Sequence, residues 1–169
     1  MSAAASSNSL SQIRLVAFDV DGVFTDGRFY LSDAGVESKA FNTQDGYGVR
    51  RLIENNIDVA VISGRESAAV TQRMVELGVT HVIQGCKDKV AALNDLTAEL
   101  SISVNECAYV GDDVPDLPLL QEVGFSVAVA NAVTEIKTQC DYTTTAAGGH
   151  GAVREVCELV LAARGDSQP

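Results

Sequence analysis

Several residues able to do acid, base or nucleophilic chemistry fall where short apolar runs end. Leu15–Phe18 runs into Asp19-Val20-Asp21-Gly22, and Cys107–Val110 runs into Gly111-Asp112-Asp113, with Asp116 three residues on. Ser63-Gly64-Arg65 follows Ile57–Ile62, and Lys89 opens the helical segment after His81–Ile83. Brought to one rim, these positions would supply several carboxylates, one hydroxyl and one ammonium. Carboxylates in that number call for a hard cation with oxygen ligands, magnesium above calcium because few protein ligands are on offer. Asp19, Asp21 and Asp112 together repel one another and need a metal or protons to sit close. A carboxylate can attack phosphorus and form an aspartyl-phosphate, splitting one hard step into two. Asp19, at the end of a rigid run, suits the nucleophile. Asp21 suits an acid that protonates the leaving oxygen and then a base that activates water. Ser63 and Lys89 would hold the phosphoryl oxygens as their charge develops.

Taken one at a time, these residues have plainer readings. Asp113 and Asp116 each read as turn or N-cap residues. Ser63 reads as the cap of a helix with Glu66 three residues on, which is compatible with phosphate binding because a helix N-terminus favours anions. Lys89 alone reads as a solvated lysine.

The elements that must position these groups are short. Leu15–Phe18, Ile57–Ile62, His81–Ile83, Cys107–Val110 and Phe125–Ala128 are apolar runs bounded by Gly, Asp or Ser, as buried parallel strands are. Between them lie helix-period segments: Val70, Met74 and Leu77; Val90, Leu93 and Leu100; Val153, Val156, Cys157 and Val160. The alternation predicts βαβ units and a doubly wound, mostly parallel α/β sheet of the Rossmann type, with ligands beyond the carboxyl ends of the strands. One stretch breaks the pattern. Arg28–Ser32 and Glu37–Asn42, joined by Asp33-Ala34-Gly35, predict a β-hairpin after the first strand. Pro115 and Pro118 stand at the start of a helical segment, where Pro is tolerated.

The 169 residues suit one domain, expected over 13–165 with flexible tails at 1–12 and 166–169. The net charge of −11 argues against nonspecific nucleic-acid binding and requires local positive charge for any anionic substrate. The four cysteines have no C-x-x-C spacing and read as small buried hydrophobes. Residues 1–12 lack a basic start and an apolar h-region, and no apolar run approaches membrane-span length. A cytoplasmic protein with no membrane partner is the expectation.

The ordered set of Asp19-x-Asp21-Gly22, Ser63, Lys89 and Gly111-Asp112-Asp113 resembles the four motifs of the haloacid dehalogenase superfamily, over roughly residues 13–165. In that superfamily the second Asp marks phosphatases and phosphotransferases, and Asp21 is present. Asp19 to Gly27, Phe41 to Val49, Ile62 to Arg65 and Gly148 to Glu155 are, more closely, similar to the family of 3-deoxy-D-manno-octulosonate 8-phosphate phosphatases, which serves lipopolysaccharide synthesis in Gram-negative bacteria. The resemblance implies Mg2+ held by Asp19, Asp112 and the Asp21 backbone carbonyl. It implies substrate contacts at Asn42, Thr43, Gln44, Asp45, Gly46, Arg50, Arg65, Arg73 and Lys89. On the residues alone, Arg50 and Arg73 read as ordinary solvated helix positions. The family's homotetramers assemble through their hairpins, and a neighbour's C-terminal segment approaches the site. At Gln44 and His150 some members carry Arg, which bears on sugar-acid selectivity.

The gaps between Asp21 and Ser63 and between Ser63 and Lys89 hold too little chain for a cap domain, so a capless scaffold is expected. Two other readings compete, and a third, a catalytically dead scaffold retained for assembly, ranks last because every expected catalytic residue is present. One is a phosphatase of the same scaffold acting on an N-acylneuraminate 9-phosphate or a related sugar acid. The other is a signalling receiver domain, whose acidic pair closes strand one and whose phosphoacceptor lies on strand three; here the third strand ends in Ile83-Gln84-Gly85 with no Asp.

Overall fold

The strand that leads into Asp19 lies inside the sheet. In the computed structural model, which describes residues 10–165, β1 (Leu15–Phe18) is buried along its whole length. It lies between β4 (Asp58–Ile62) and β6 (Cys107–Gly111), parallel to both, with Val16 opposite Val59 on one side and Ala108 on the other. A strand covered on both faces needs apolar side chains at every position, which is why the run does not alternate.

With β5 (His81–Ile83), β7 (Phe125–Ala128) and β8 (Tyr142–Thr143), the sheet order is β5-β4-β1-β6-β7-β8, every pair parallel. The chain builds outward from β1 to β5, then returns to place β6 on the other side of β1. The order reverses between β1 and β6, so the crevice at their carboxyl ends is where this sheet type binds ligands. β8 was not legible as a strand. It has two residues, lies at the edge and is paired through Val127 and Tyr142.

The expected hairpin is present but shorter than its sequence suggested. β2 (Tyr30–Leu31) and β3 (Glu37–Ser38) pair antiparallel, two residues each. Ser32 organises the turn: its N–H donates to Val36 O, its carbonyl accepts from Gly35 N–H, and its Oγ accepts from Val36 N–H, all at 2.9–3.0 Å. Tyr30, Leu31 and Val36 are about two-thirds exposed (67%, 65% and 63%), so among the described residues none covers these three side chains.

Among the described residues, four helices flank the sheet with their apolar stripes inward: α1 (Thr43–Glu54), α2 (Ala68–Leu77), α3 (Lys89–Leu100) and, after two short helices α4 (Leu117–Leu120) and α5 (Thr134–Lys137), α6 (Ala152–Arg164). Val70, Met74 and Leu77 of α2 and Val153, Val156, Cys157 and Val160 of α6 are buried, as their spacing predicts. Leu10, inside the expected N-terminal tail, is buried too, and its carbonyl accepts from Ile13 N–H at 3.2 Å. Residues 1–9 and 166–169 lie outside the described residues.

The last helix pins the segment before it through one side chain. Glu155 accepts from the Tyr142 hydroxyl (2.7 Å), from Thr145 N–H and hydroxyl, and from Ala146 N–H (each 2.9 Å). Burial pushes its carboxyl up, but the Thr145 and Ala146 amides and the two hydroxyls outweigh that and hold it below the usual 4.5. A depressed carboxyl stabilises the fold above its unfolded value, and that contribution is lost as pH falls through its folded value. Glu155→Gln should therefore cost about 1–3 kcal/mol at pH 7. The melting temperatures of variant and parent should converge as pH drops below 4.5; a gap that persists in acid would contradict the assignment.

Candidate active site

The backbone after β1 is wound tightly so that two acids face one crevice. Val20 O accepts from the N–H groups of Val23, Phe24 and Thr25 (3.2, 2.9 and 3.2 Å). The buried Thr25 hydroxyl accepts from Gly22 and Gly27 N–H at 3.3 and 3.2 Å. Phe24 packs edge-on against Phe18, ring centroids 5.2 Å apart, which anchors the turn in the core. Gly22 has φ +86°, and a Cβ there would collide with the Asp112 carboxylate. Only glycine permits both the left-handed backbone and so close an approach of the two acidic loops.

A cleft of about 350 Å³ opens at this point, walled by Asp19, Asp21, Ser63, Arg65, Lys89 and Asp112. Carboxylate oxygens of Asp19, Asp112 and Asp116 lie within 4.8 Å of one another. Lys89 Nζ sits among them, 3.1 Å from Asp19 Oδ1 and 2.7 Å from Asp116 Oδ1. Far from being solvated, Lys89 is buried. α3 starts with it because Asp88 caps the helix, accepting from Ala91 N–H at 3.0 Å.

Asp116 is the residue that single-position reasoning undervalued. It does brace a turn, accepting from Asp112 and Asp113 N–H at 3.0 and 3.3 Å. It is also 1% exposed and accepts from the Tyr109 hydroxyl at 2.7 Å and from Lys89. A short 3-10 turn, Val114–Asp116, folds it back under the end of β6. The signal was a third acid four residues after Asp112, readable only once the turn is known. Asp113 keeps its plain reading, capping that turn by accepting from Val114 N–H at 2.8 Å.

The electrostatics follow from crowding. Burial, then repulsion from Asp116, lift Asp19 from 3.8 to about 6 despite Lys89. Burial, then Asp116 and Asp19, lift Asp112 to about 7. Burial pulls Lys89 down, but Asp19 and Asp116 outweigh it and leave its ammonium held above 10.5. One ammonium thus faces three carboxylates, and the donors are hard oxygens. Asp116 already serves Tyr109, Lys89 and two amides, so Asp19 and Asp112 are the pair fitted to hold a hard divalent cation.

Ser63 is buried and lines the cleft, its Oγ accepting from Arg65 N–H at 3.4 Å. It does not cap a helix: the chain runs four residues further before α2 begins, with Ser67 at the N-cap position. Arg65 Nε lies 3.6 Å from Asp21 Oδ2, its NH2 lies 2.7 Å from Glu37, and its guanidinium stacks 4.2 Å above the Phe29 ring. Lys39, directly after β3, pairs with Asp21. Asn131 joins the turn after β1 to the glycine-rich segment, donating to Gly22 O at 3.2 Å and accepting from Gly148 N–H at 2.6 Å. Neither Lys39 nor Asn131 was singled out from sequence, and an isolated polar residue after a strand gives no signal.

The remaining expected positions do not line this cleft. Asn42 caps α1 by accepting from Gln44 N–H at 2.8 Å, and its amide lies 3.4 Å from Gly149 O. Thr43 and Gln44 are exposed in the first turn, and His150 is exposed beyond Gly149. Asp45 is buried, accepts from Arg154 N–H at 2.8 Å and so secures the start of α6; burial raises its carboxyl. A Cβ on Gly46 would collide with the Arg73 guanidinium, so this glycine lets α2 approach α1. Arg50 donates to Glu76 O at 2.9 Å, and Arg73 pairs with Glu76 at 3.2 Å. These residues form a second group on the α1–α2 side of the same chain.

Residues 81–156 match the model of a haloacid dehalogenase-like hydrolase family. The 3-deoxy-D-manno-octulosonate 8-phosphate phosphatase KdsC of Escherichia coli (strain K12) is 49% identical over 153 residues, covering 90% of this chain and 81% of the relative. The chain belongs to the KdsC family of haloacid dehalogenase-like hydrolases. Solved structures of the KdsC family agree. The Moraxella catarrhalis phosphatase, in complex with magnesium ion, phosphate ion and KDO, superposes at TM-score 0.95 with 45% identity, covering 98% of this chain and 95% of that one. The cobalt-bound phosphatase from Haemophilus influenzae gives TM-score 0.91 and 38% identity, covering 94% and 93%. The superfamily and family resemblance, the parallel sheet and the hairpin after β1 are all borne out.

Removing one member of the buried Lys89–Asp116–Tyr109 set leaves the others short of a partner. Asp116→Asn should destabilise the fold by about 3–5 kcal/mol in urea titration. It should also lower turnover, because Lys89 would lose its anchor beside Asp19. A variant with parental stability and turnover would contradict the role given to Asp116.

Proposed function

We propose that this chain hydrolyses 3-deoxy-D-manno-octulosonate 8-phosphate to the free sugar acid and inorganic phosphate, as a step in making lipopolysaccharide precursor. The observation that carries this reading is the meeting of Asp19, Asp112 and Lys89 at the β1/β6 crevice of a KdsC-family chain. A carboxylate held 3.1 Å from a buried ammonium, at the end of a rigid strand, is a positioned nucleophile rather than a surface acid.

In this mechanism an Asp19 oxygen attacks phosphorus in line with the ester oxygen. The phosphorus–ester oxygen bond breaks, its electron pair leaves with the sugar oxygen, and that oxygen takes a proton from Asp21. Asp21 then removes a proton from water, whose oxygen attacks phosphorus. The bond between phosphorus and Asp19 breaks, which frees phosphate and restores the carboxylate. Lys89 and Ser63 hold the phosphoryl oxygens throughout. The Asp19 and Asp112 carboxylates with the Asp21 carbonyl would hold magnesium, which when bound neutralises the acids and the phosphoryl group facing them.

Residues 13–165 act as one catalytic domain. Arg65 reaches the cleft from its own chain. Asn42, Thr43, Gln44, Arg50 and Arg73 stand apart from it, and we assign them to the site of an adjoining subunit in a homotetramer built on the exposed Phe29, Tyr30, Leu31 and Val36, with buried Asp45 and Gly46 shaping the segment that carries them. A neighbour's glycine-rich segment and last helix would then exclude water where relatives use a cap. No helix among the described residues is long and apolar enough to cross a membrane, in keeping with a cytoplasmic enzyme whose partners are a sugar phosphate and further copies of itself.

Phosphate release by the purified chain, with magnesium and a panel of sugar phosphates, tests this directly. The eight-carbon octulosonate should be turned over fastest and chelation should stop the reaction. Faster turnover of a nine-carbon N-acylneuraminate phosphate would replace the substrate, and no release from any ester would end the phosphatase reading. Asp19→Asn should reduce release below detection with the melting temperature kept; normal turnover by that variant would remove Asp19 from the mechanism.

A further inference from the structure

The hairpin brings a second buried ammonium to the cleft. The Lys39 side chain is only 1% exposed, although it directly follows a two-stranded ribbon whose Tyr30, Leu31 and Val36 are open to solvent. Its Nζ contacts Asp21 Oδ1 and lies 3.7 Å from Glu37 Oε1. The Phe29 ring closes over it, with the ring centroid 5.7 Å from Nζ. Arg65 mirrors the arrangement from the opposite wall: 3.6 Å from Asp21 Oδ2, 2.7 Å from Glu37 Oε2, and stacked on the same ring.

The Asp21 carboxylate is therefore gripped at one oxygen by Lys39 and faced at the other by Arg65. Glu37 touches both cations, so two carboxylates and two cations balance in one layer under Phe29. An exposed lysine spreads over many rotamers and fixes nothing. One with an enclosed stem presents its compact charge at a defined point, and ordering it here is offset by two ionic partners and a ring. Arg65 alone cannot do the same work, because it is half exposed and no closer than 3.6 Å.

We propose that Lys39 is a positioning residue for the acid–base group: it sets the orientation of Asp21 and thereby ties the hairpin to the chemistry. The inference rests on the reading of Asp21 as acid and base. It adds a residue that acts through Asp21 rather than on the substrate, and it gives the hairpin a part in catalysis besides subunit contact. Glu37 and Phe29 hold Lys39 in place, and Asp21 delivers the effect.

The test is steady-state kinetics of the full chain with magnesium and 3-deoxy-D-manno-octulosonate 8-phosphate, comparing Lys39→Met, Lys39→Arg, Glu37→Gln, Asp21→Asn and the Lys39→Met, Asp21→Asn double variant. Lys39→Met keeps the stem against Phe29 and should lower kcat at least about tenfold while moving KM less than about threefold. Lys39→Arg should recover most of that loss. Glu37→Gln, which leaves Lys39 in place but frees it, should lower kcat by less and in the same direction, so the inference stays testable if Lys39→Met does not fold. The loss from Lys39→Met should shrink below about twofold in the Asp21→Asn background, since residues acting as a unit are not additive. Three results would overturn the proposal: parental kcat in Lys39→Met, a change confined to KM, or a loss that persists in full without the Asp21 carboxylate. Parental turnover in Asp21→Asn would remove the acid–base reading and this inference with it. A crippled Asp21→Asn beside a fully active Lys39→Met would overturn this inference alone.

Discussion

Adjacent parallel strands place two acidic loops side by side, and the molecule is organised around that crowding. β1 and β6 are neighbours, so Asp19 and Asp112 leave the sheet together, and the turn after β6 returns Asp116 to the same space. At an effective dielectric of 20, two unit charges at this separation repel by roughly 3–4 kcal/mol, and there are three such pairs. Burial costs more still, and with this repulsion it lifts Asp19 and Asp112 to about 6 and about 7. The chain answers in part with Lys89, which holds Asp116 and Asp19 at once. The shortfall of positive charge that remains suits the cleft to a divalent cation.

A second charged layer lies above the first. Asp21, Glu37, Lys39 and Arg65 balance two against two beneath Phe29. The two layers meet in the turn after Asp19, which Thr25, Phe24 and Asn131 brace from three sides. The chain has 12 Lys and Arg against 23 Asp and Glu, and three of those 12 stand within ion-pair distance of Asp19 or Asp21. A strongly acidic protein can thus attract an anion without a basic surface, because the field that matters is local. The hairpin does two things: one of its faces supplies Glu37 and Lys39 to Asp21 and Arg65, and Tyr30, Leu31 and Val36 stay open to solvent.

The fold was legible in the sequence where burial dictates composition. Five strands were readable because runs such as Leu15–Phe18 must be apolar on both faces, and α2 and α6 because one stripe of each must be. The hairpin was marked by its turn residues, but not its length, since a ribbon with one open face imposes no clear alternation. β8 escaped because an edge pair of two residues carries almost no pattern. Within the cleft, Asp19, Asp21, Ser63, Lys89 and Asp112 were visible as groups at strand ends. Asp116 was visible but undervalued, because its partners Tyr109 and Lys89 are 7 and 27 residues away. Lys39 and Asn131 were not visible at all, since their contacts with Asp21 and Gly22 span 18 and 109 residues. Ser63 was placed in the right cleft, but the alternative reading of it as a helix cap fails because α2 starts later.

The chemistry of this cleft turns on where the phosphoryl group goes. Acid-quenching the protein during turnover of the octulosonate phosphate, followed by peptide mass mapping, would locate it. The prediction is a phosphoryl adduct on the peptide containing Asp19, labile to hydroxylamine as an acyl phosphate is, and absent in Asp19→Asn. A hydroxylamine-stable adduct on the Ser63 peptide, or full turnover with no covalent phosphate on any peptide, would contradict it.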